Sequence, residues 1–481
     1  MAHSAKIVMT AHASARVTRL STVAAYVVLG AALVWSRLAE LGHSFWTDEI
    51  LMVSQYVRKG PHQILAGPTL NHELYALLAW ATKAVVGESE IAFRLWSVLP
   101  FIAGVVIVTW WLHARLGALS GLLFLFLATV SPELLDITRQ ARGYGIAFLA
   151  MSVVVVSALE AARSRRTDMV VAFCVAGVVA TWTLPQAGIA FLATGSALLA
   201  VRELRRPVAV GLILAAAAIV AWYAPHLGAV RSSSQIEDGV KIGFPWVLTA
   251  PIDQILLPAL LWIDGTVIVA GVVWLPLVFL AAIVAASSPL LRNRISAWIL
   301  CAGILATVAV LWIGQAYIIP RYLSYLLVPL FVLMATGAAS ILARAAKRDA
   351  VLRTVACLVV LGALAFRFVL LAPDVVGLPR EANRDAAEVV LSREPPTPAL
   401  VYARNPQNVG FYLNRPFVDL RQRDVRRIVC GQPAPVFYVV QPFALAAVDV
   451  PCLDRPGVQD SHLRQYARGG ETDVWLVPPS S

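Results

Sequence analysis

Apolar runs close to twenty residues long recur along the first three quarters of the chain, at about residues 21–39, 95–112, 117–132, 143–160, 168–184, 186–201, 207–224, 266–286, 295–313, 322–342 and 354–372. No other feature constrains the fold more, because a helix of that length matches the hydrocarbon thickness of a bilayer. In lipid only helices and closed barrels satisfy their own backbone, and unalternating runs of this length select helices. Composition agrees: 59% of residues are hydrophobic and 14% charged, against about 25% charged in a soluble domain. The first run is followed by no small-residue cleavage site, so we expect a retained anchor rather than a signal peptide.

A net charge of +11 would suggest a nucleic-acid partner if the bases formed one patch, but they are distributed by loop. With Lys6, Arg16 and Arg19 cytoplasmic, the alternate connections hold Arg115, then Arg163, Arg165 and Arg166, then Arg202, Arg205 and Arg206, then Arg292 and Arg294, then Arg344, Lys347, Arg348 and Arg353. That is the positive-inside pattern, which predicts orientation and no nucleic-acid partner. The apolar segment His72 to Gly87 would reverse every later loop if it crossed. We therefore expect it to lie in or dip into the outer interface, within a first outer loop of residues 40–94. The flexible-looking loop 225–265, with its prolines, glycines and Ser232 to Ser234, reads equally as a lid and as an ordinary interfacial connection.

Past Pro373 the composition changes. Residues 373–481 hold 12 Arg and 12 acidic residues, a soluble-domain usage. A helical stretch (REANRDAAEVVLSRE) precedes the short apolar runs PALVYA, VGFYL, RPFVDL, PVFYVV and DVWLVP, bounded by Pro, Asn and Gly, and the pattern predicts a small α/β module. The expected fold class is thus a polytopic α-helical membrane protein of about 11 transmembrane helices with a small C-terminal extracytoplasmic α/β domain. Its expected parts are a cytoplasmic tail 1–20, a membrane domain 21–372 and the module 373–481. Cys430 and Cys452 both fall in the module, where a disulfide and two buried thiols are equally open. Cys174, Cys301 and Cys357 lie in spans and read as packing residues.

Sorted by side, the polar candidates fall on the outer face. Asp48 and Glu49 follow Trp46 after the first span. They read either as acidic residues charging the first turn of an interfacial helix or as a general base at a membrane-level cavity, and adjacent residues can serve both ends. In Asn71-His72-Glu73-Leu74-Tyr75, His72 reads as a contact to a substrate hydroxyl or phosphate, or as a capping histidine. No HExxH or comparable ligand spacing calls for a metal. A divalent ion is nonetheless compatible with Glu73, and no cofactor is demanded. Arg139 and Arg142 in the connection 139–144 offer bidentate contacts to phosphate with Tyr144 beside them, or snorkel to headgroups. Arg321, before Tyr322, is the lone base of a short outer connection, an expensive position unless an anion meets it.

These motifs, in order, resemble those of the polyprenyl-phosphate-sugar glycosyltransferases of the GT-C fold, a group with protein O-mannosyltransferase-like, aminoarabinose transferase-like and rhizobial galacturonosyltransferase-like members. The resemblance rests on Trp46-x-Asp48-Glu49, on residues 71–104 (NHELYALLAWATKAVVGESEIAFRLWSVLPFIAG), on 131–150 (SPELLDITRQARGYGIAFLA) and on 320–331 (PRYLSYLLVPLF), and covers about residues 20–345. It implies an inverting membrane enzyme that moves a sugar from a polyprenyl-phosphate donor to an envelope lipid, glycan or protein acceptor at the outer face of a bacterial inner membrane. By resemblance, the pair Asp48 and Glu49 supplies the catalytic carboxylate, with Asp48 as base. Arg142, Tyr144, Arg321 and Tyr322 would hold the donor phosphate and line the cavity. The family's His-Pro-Pro-Leu appears here as His72-Glu73-Leu74-Tyr75 without its prolines, so a role copied onto His72 is the weakest part of the match.

Rival classes predict other features. A transporter or flippase would carry ionisable groups inside spans or paired broken helices, and here Arg367 alone needs explaining, by snorkelling. An O-antigen-type ligase or polymerase would place its large outer loop between late spans. A non-catalytic scaffold presenting the C-terminal module would tolerate loss of Asp48.

Overall fold

A computed structural model describes residues 2–66, 72–224, 280–313, 320–344, 351–379, 381–392, 398–402, 407–414, 416–420, 424–440, 450–466 and 472–479. The chain divides into two compact units: residues 1–39, 65–78 and 94–370 form one, and residues 40–64, 79–93 and 371–481 form the other.

The first unit is helical. Its elements are α1 (Ala2–Leu38), the start of α4 (Glu73–Val86), most of α5 (Glu90–Leu116), α6 (Ala118–Val130), α7 (Pro132–Thr138), α8 (Tyr144–Ser164), α9 (Thr167–Thr183), α10 (Ala187–Leu199), α11 (Arg205–Tyr223), α12 (Arg294–Ile313), α13 (Leu327–Leu342) and most of α14 (Val351–Gly377). Among the described residues six helices are long and apolar enough to cross a membrane, or seven if the bent pair α6 and α7 is one span. Every expected run meets a helix except 266–286, most of which lies outside the described residues, as does the loop 225–265. Helix α4, at 14 residues, is shorter than the roughly 20 that a crossing needs.

Burial sorts the spans. Protein covers 72% of the most apolar window of α8 and 78% of that ending in α13, but only 17% in α1 and 22% in α14. The first two therefore form the interior, where Phe101, Phe124, Phe148, Tyr325 and Leu327 are fully enclosed. The exposed valines and tryptophans of the others, such as Val27, Trp35 and Phe366, face outward as lipid-exposed side chains do.

One break has a clear cause. α6 and α7 meet at 64°, with Ser131 extended (φ −75°, ψ 112°) as the residue before a proline must be. Ser131 Oγ accepts from Leu134 N at 3.2 Å, and Pro132 occupies the first helical position. Proline has no N–H for the Ala128 carbonyl, and the bend also removes the partner of Thr129. Arg37 of α1 replaces both, donating to Ala128 O at 2.8 Å and Thr129 O at 3.0 Å.

In the second unit, five strands stand in the order β2-β1-β3-β5-β4: β1 Ala399–Tyr402, β2 Val418–Asp419, β3 Val436–Val440, β4 Leu463–Gln465 and β5 Thr472–Val477. β1 pairs in parallel with β2 and β3; β5 runs antiparallel to β3 and β4. Period-two alternation sends Ala399, Val401, Phe437 and Val439 into one layer with Ala386, Val390 and Leu413, and Leu400, Val436 and Tyr438 into the other with Val425, Val429 and Val458. The first layer's helices are α15 (Asn383–Leu391) and α16 (Gln407–Leu413). The run VGFYL, expected as a strand, is therefore part of α16: Val409 and Leu413, four apart, face the core, a spacing a five-residue apolar run cannot distinguish from a strand. β4 carries no apolar signal in the sequence. Cys430 and Cys452 form a disulfide, with Cα atoms 5.6 Å apart. The same unit holds α2 (Thr47–Met52) and the π-helical turn Val53–Val57 that continues it.

Candidate functional site

The two acidic candidates lie on α2. Trp46 is the N-cap, so Thr47, Asp48 and Glu49 fill the first turn, where carboxylates favour the positive end of the helix dipole. Glu49 is fully buried, and its Oε2 accepts from Trp46 N–H at 3.1 Å, the returning half of a capping box. Asp48, at the neighbouring position, is half-buried.

In the helical unit, three motifs separated by up to 250 residues in sequence meet around His72. This imidazole is 1% exposed and sits at φ 73°, a left-handed conformation that costs about 1–3 kcal/mol and persists only where surroundings enforce it. Here its N–H donates to Thr183 O at 3.1 Å, while Gly143 N–H donates to its Nδ1 at 3.2 Å. The second bond places the neutral ring's proton on Nε2, which is buried and meets no hydrogen-bonding protein atom among the described residues. The Tyr144 ring stands edge-on to the imidazole at 4.7 Å, and Tyr322 lies 6.3 Å from both rings. Arg142 lies over Tyr144, with Cζ 5.9 Å from the ring centroid, and Arg321 over Tyr322 at 5.7 Å. Burial holds the His72 pKa well below its usual value, and the charges of Arg142 and Arg321 push the same way.

The neighbouring candidates take other partners. Arg139 donates to Ser36 O at 2.8 Å, and Glu73 accepts from the indole N–H of Trp222. Among the described residues no three His, Cys, Asp or Glu side chains cluster as a metal site.

Two glycines make the cluster possible, and neither stood out in the sequence. A Cβ on Gly143 would lie 2.5 Å from Thr183 Cγ2 and 2.9 Å from His72 Nδ1. One on Gly145 would lie 1.7 Å from the Ser97 carbonyl oxygen, so α8 begins in direct backbone contact with α5. Ser97 Oγ accepts from Gly145 N at 3.2 Å. The spacing Gly143-x-Gly145 beside two arginines was the available signal.

A buried site with two guanidinium groups, a neutral imidazole donor and tyrosine walls suits a compact oxyanion. Arginine binds phosphate in a bidentate manner, and such charges inside a membrane protein call for a counter-charge.

No protein-family model matches the chain, and no curated protein matches it by sequence. Solved structures do. ArnT from Cupriavidus metallidurans bound to undecaprenyl phosphate superposes with a TM-score of 0.54 at 15% identity, covering 94% of this chain and 97% of that one. Its apo state gives 0.53 at 16% identity, covering 96% and 98%. Archaeal oligosaccharyltransferase AglB from Archaeoglobus fulgidus, in complex with an inhibitory peptide and a dolichol-phosphate, gives 0.52 at 10% identity, covering 86% and 66%. The chain has the GT-C fold. Within that fold the His72 cluster is assembled from the start of α4, the connection into α8 and the turn Pro320–Leu326 before α13. Such a polytopic GT-C chain is a multi-pass membrane protein.

Proposed function

We propose that this protein is a membrane glycosyltransferase that moves a sugar from a polyprenyl-phosphate-linked donor to an envelope lipid, glycan or protein acceptor at the outer face of the bacterial cytoplasmic membrane. The observation that carries this reading is the buried grouping of Arg142, Arg321 and the His72 Nε2–H donor. The bound lipid phosphates of the ArnT and AglB structures support the same class of donor.

The acceptor hydroxyl oxygen attacks the anomeric carbon as the bond from that carbon to the phosphate oxygen breaks, inverting the centre. Asp48 takes the hydroxyl proton as general base, with Glu49 the second acidic residue of that turn. Negative charge collects on the departing polyprenyl phosphate, where Arg142, Arg321 and His72 stabilise it in a water-poor setting, and Tyr144 and Tyr322 flank the group. Arg139 and Glu73 support the walls of this site.

The test uses purified protein in liposomes with undecaprenyl-phosphate-linked pentoses and hexoses and membrane extract as acceptor, scored by mass as undecaprenyl phosphate released. Asp48→Asn is expected to abolish release while the protein still inserts; full activity would remove Asp48 from the mechanism. Arg321→Ala is expected to raise the KM for donor at least tenfold, and unchanged kinetics at limiting donor would remove it from the phosphate site.

A further inference from the structure

Just ahead of Asp48 in the sequence, the chain is held by side chains more than three hundred residues away. Glu381, in the turn between α14 and α15, accepts on Oε1 from Thr47 Oγ1 at 2.7 Å. Its Oε2 accepts from Asn383 Nδ2 at 2.8 Å and Asn408 Nδ2 at 3.1 Å. Each amide spends its second proton on the same loop: Asn408 donates to Thr47 Oγ1 at 2.6 Å and Asn383 to the Phe45 carbonyl at 3.1 Å. Ser44 Oγ donates to the Glu381 carbonyl at 2.5 Å, and Phe45 N–H donates to Tyr412 Oη at 2.6 Å. Asn383 and Asn408 are buried.

The proton accounting closes. An acceptor-only carboxylate meets three donors, and Thr47 Oγ1 gives one proton and takes one. Buried networks in which every group is satisfied specify a single geometry, because any displaced member leaves a polar group without a partner. Thr47 precedes Asp48 on the first turn of α2, so holding Thr47 fixes where the Asp48 carboxylate points. The cap made by Glu49 fixes the axis of that turn, and the Glu381 cluster fixes its rotation.

We propose that Glu381, with Asn383 and Asn408, is a positioning residue that makes the C-terminal module part of the catalytic apparatus by orienting Asp48 through Thr47. This rests on Asp48 being the base. Misplacing a base by about 1 Å costs on the order of a hundredfold in rate, while donor binding at the basic cluster is left as it was. The signature is therefore a fall in kcat at constant donor KM.

The experiment pairs two readouts on the full chain in detergent: hydrogen–deuterium exchange of peptides spanning residues 44–52, and release of undecaprenyl phosphate from the donor panel above. Glu381→Ala and Thr47→Val are each expected to speed exchange in 44–52 and to lower kcat at least tenfold with donor KM unchanged. Thr47→Ser, which keeps the hydroxyl, is expected to recover what Thr47→Val loses. The double variant Glu381→Ala/Thr47→Val is expected to be no slower than the worse single one, as members of one network are. Unchanged exchange in both single variants would overturn the proposal. So would normal kcat in Glu381→Ala where Asp48→Asn is dead. Full activity of Asp48→Asn would instead remove the base, and with it the catalytic role of Glu381, while exchange still decides whether Glu381 holds the loop.

Discussion

At residue scale His72 concentrates the most information. Its left-handed backbone, its bond from Gly143 and its burial beside Arg142 and Arg321 all favour the neutral ring. The sequence suggested His72 only as a weakened match to a motif that has lost its prolines. What makes it notable is the crowding that the two glycines permit, and no local pattern shows which side chains will crowd. Because the folded-state pKa lies below the unfolded value of about 6.5, the unfolded chain binds the proton first as pH falls. Stability from this residue is thus present above pH about 6.5 and lost below it, by up to about 1.4 kcal/mol per pH unit until the folded ring also titrates. His72→Gln is expected to flatten the fall of the thermal midpoint between pH 7 and pH 5 relative to wild type, measured in detergent without donor. An equal slope in both proteins would show that His72 titrates normally.

At the scale of elements, the broken pair α6 and α7 was read from sequence as one span, since hydropathy is high on both sides of Ser131 and Pro132. Hydropathy measures transfer into lipid and is insensitive to direction; the bend comes from a missing N–H and a displaced backbone, which only the packing partner reveals. That partner is Arg37, whose guanidinium serves the two carbonyls that the break deprives of donors. Arg37→Met keeps the volume and leaves both carbonyls buried without a donor, and is expected to cost about 2–4 kcal/mol. The measurement is the shift in thermal midpoint, with Arg37→Lys as an intermediate case because one ammonium reaches the carbonyls without the planar fork. The segment VGFYL teaches the same lesson on a smaller scale: five apolar residues carry no period long enough to choose between strand and helix.

At the scale of the whole molecule, the second unit gathers three stretches of chain, 40–64, 79–93 and 371–481, around one mixed sheet and its disulfide. The sequence placed the boundary near residue 373 from composition, but composition cannot show that part of the first loop belongs with the C-terminal module. The Cys430–Cys452 crosslink spans 22 positions, which in the chain-entropy view stabilises that unit by about 3 kcal/mol. Reduction, or Cys430→Ala/Cys452→Ala, is expected to lower the unfolding midpoint of the module and to speed exchange in β3 and β5, with the spans of the other unit unaffected. Taken alone, the sequence determined that the chain is a bundle of apolar helices with a small α/β module, because hydrophobic length and period are local properties that the solvent reads directly. Which charges share a site was decided only in three dimensions. The meeting of His72, Arg142 and Arg321, and of Thr47, Glu381 and Asn408, depends on close backbone approach and on hydrogen bonds between residues far apart in the chain, and neither leaves a periodic trace.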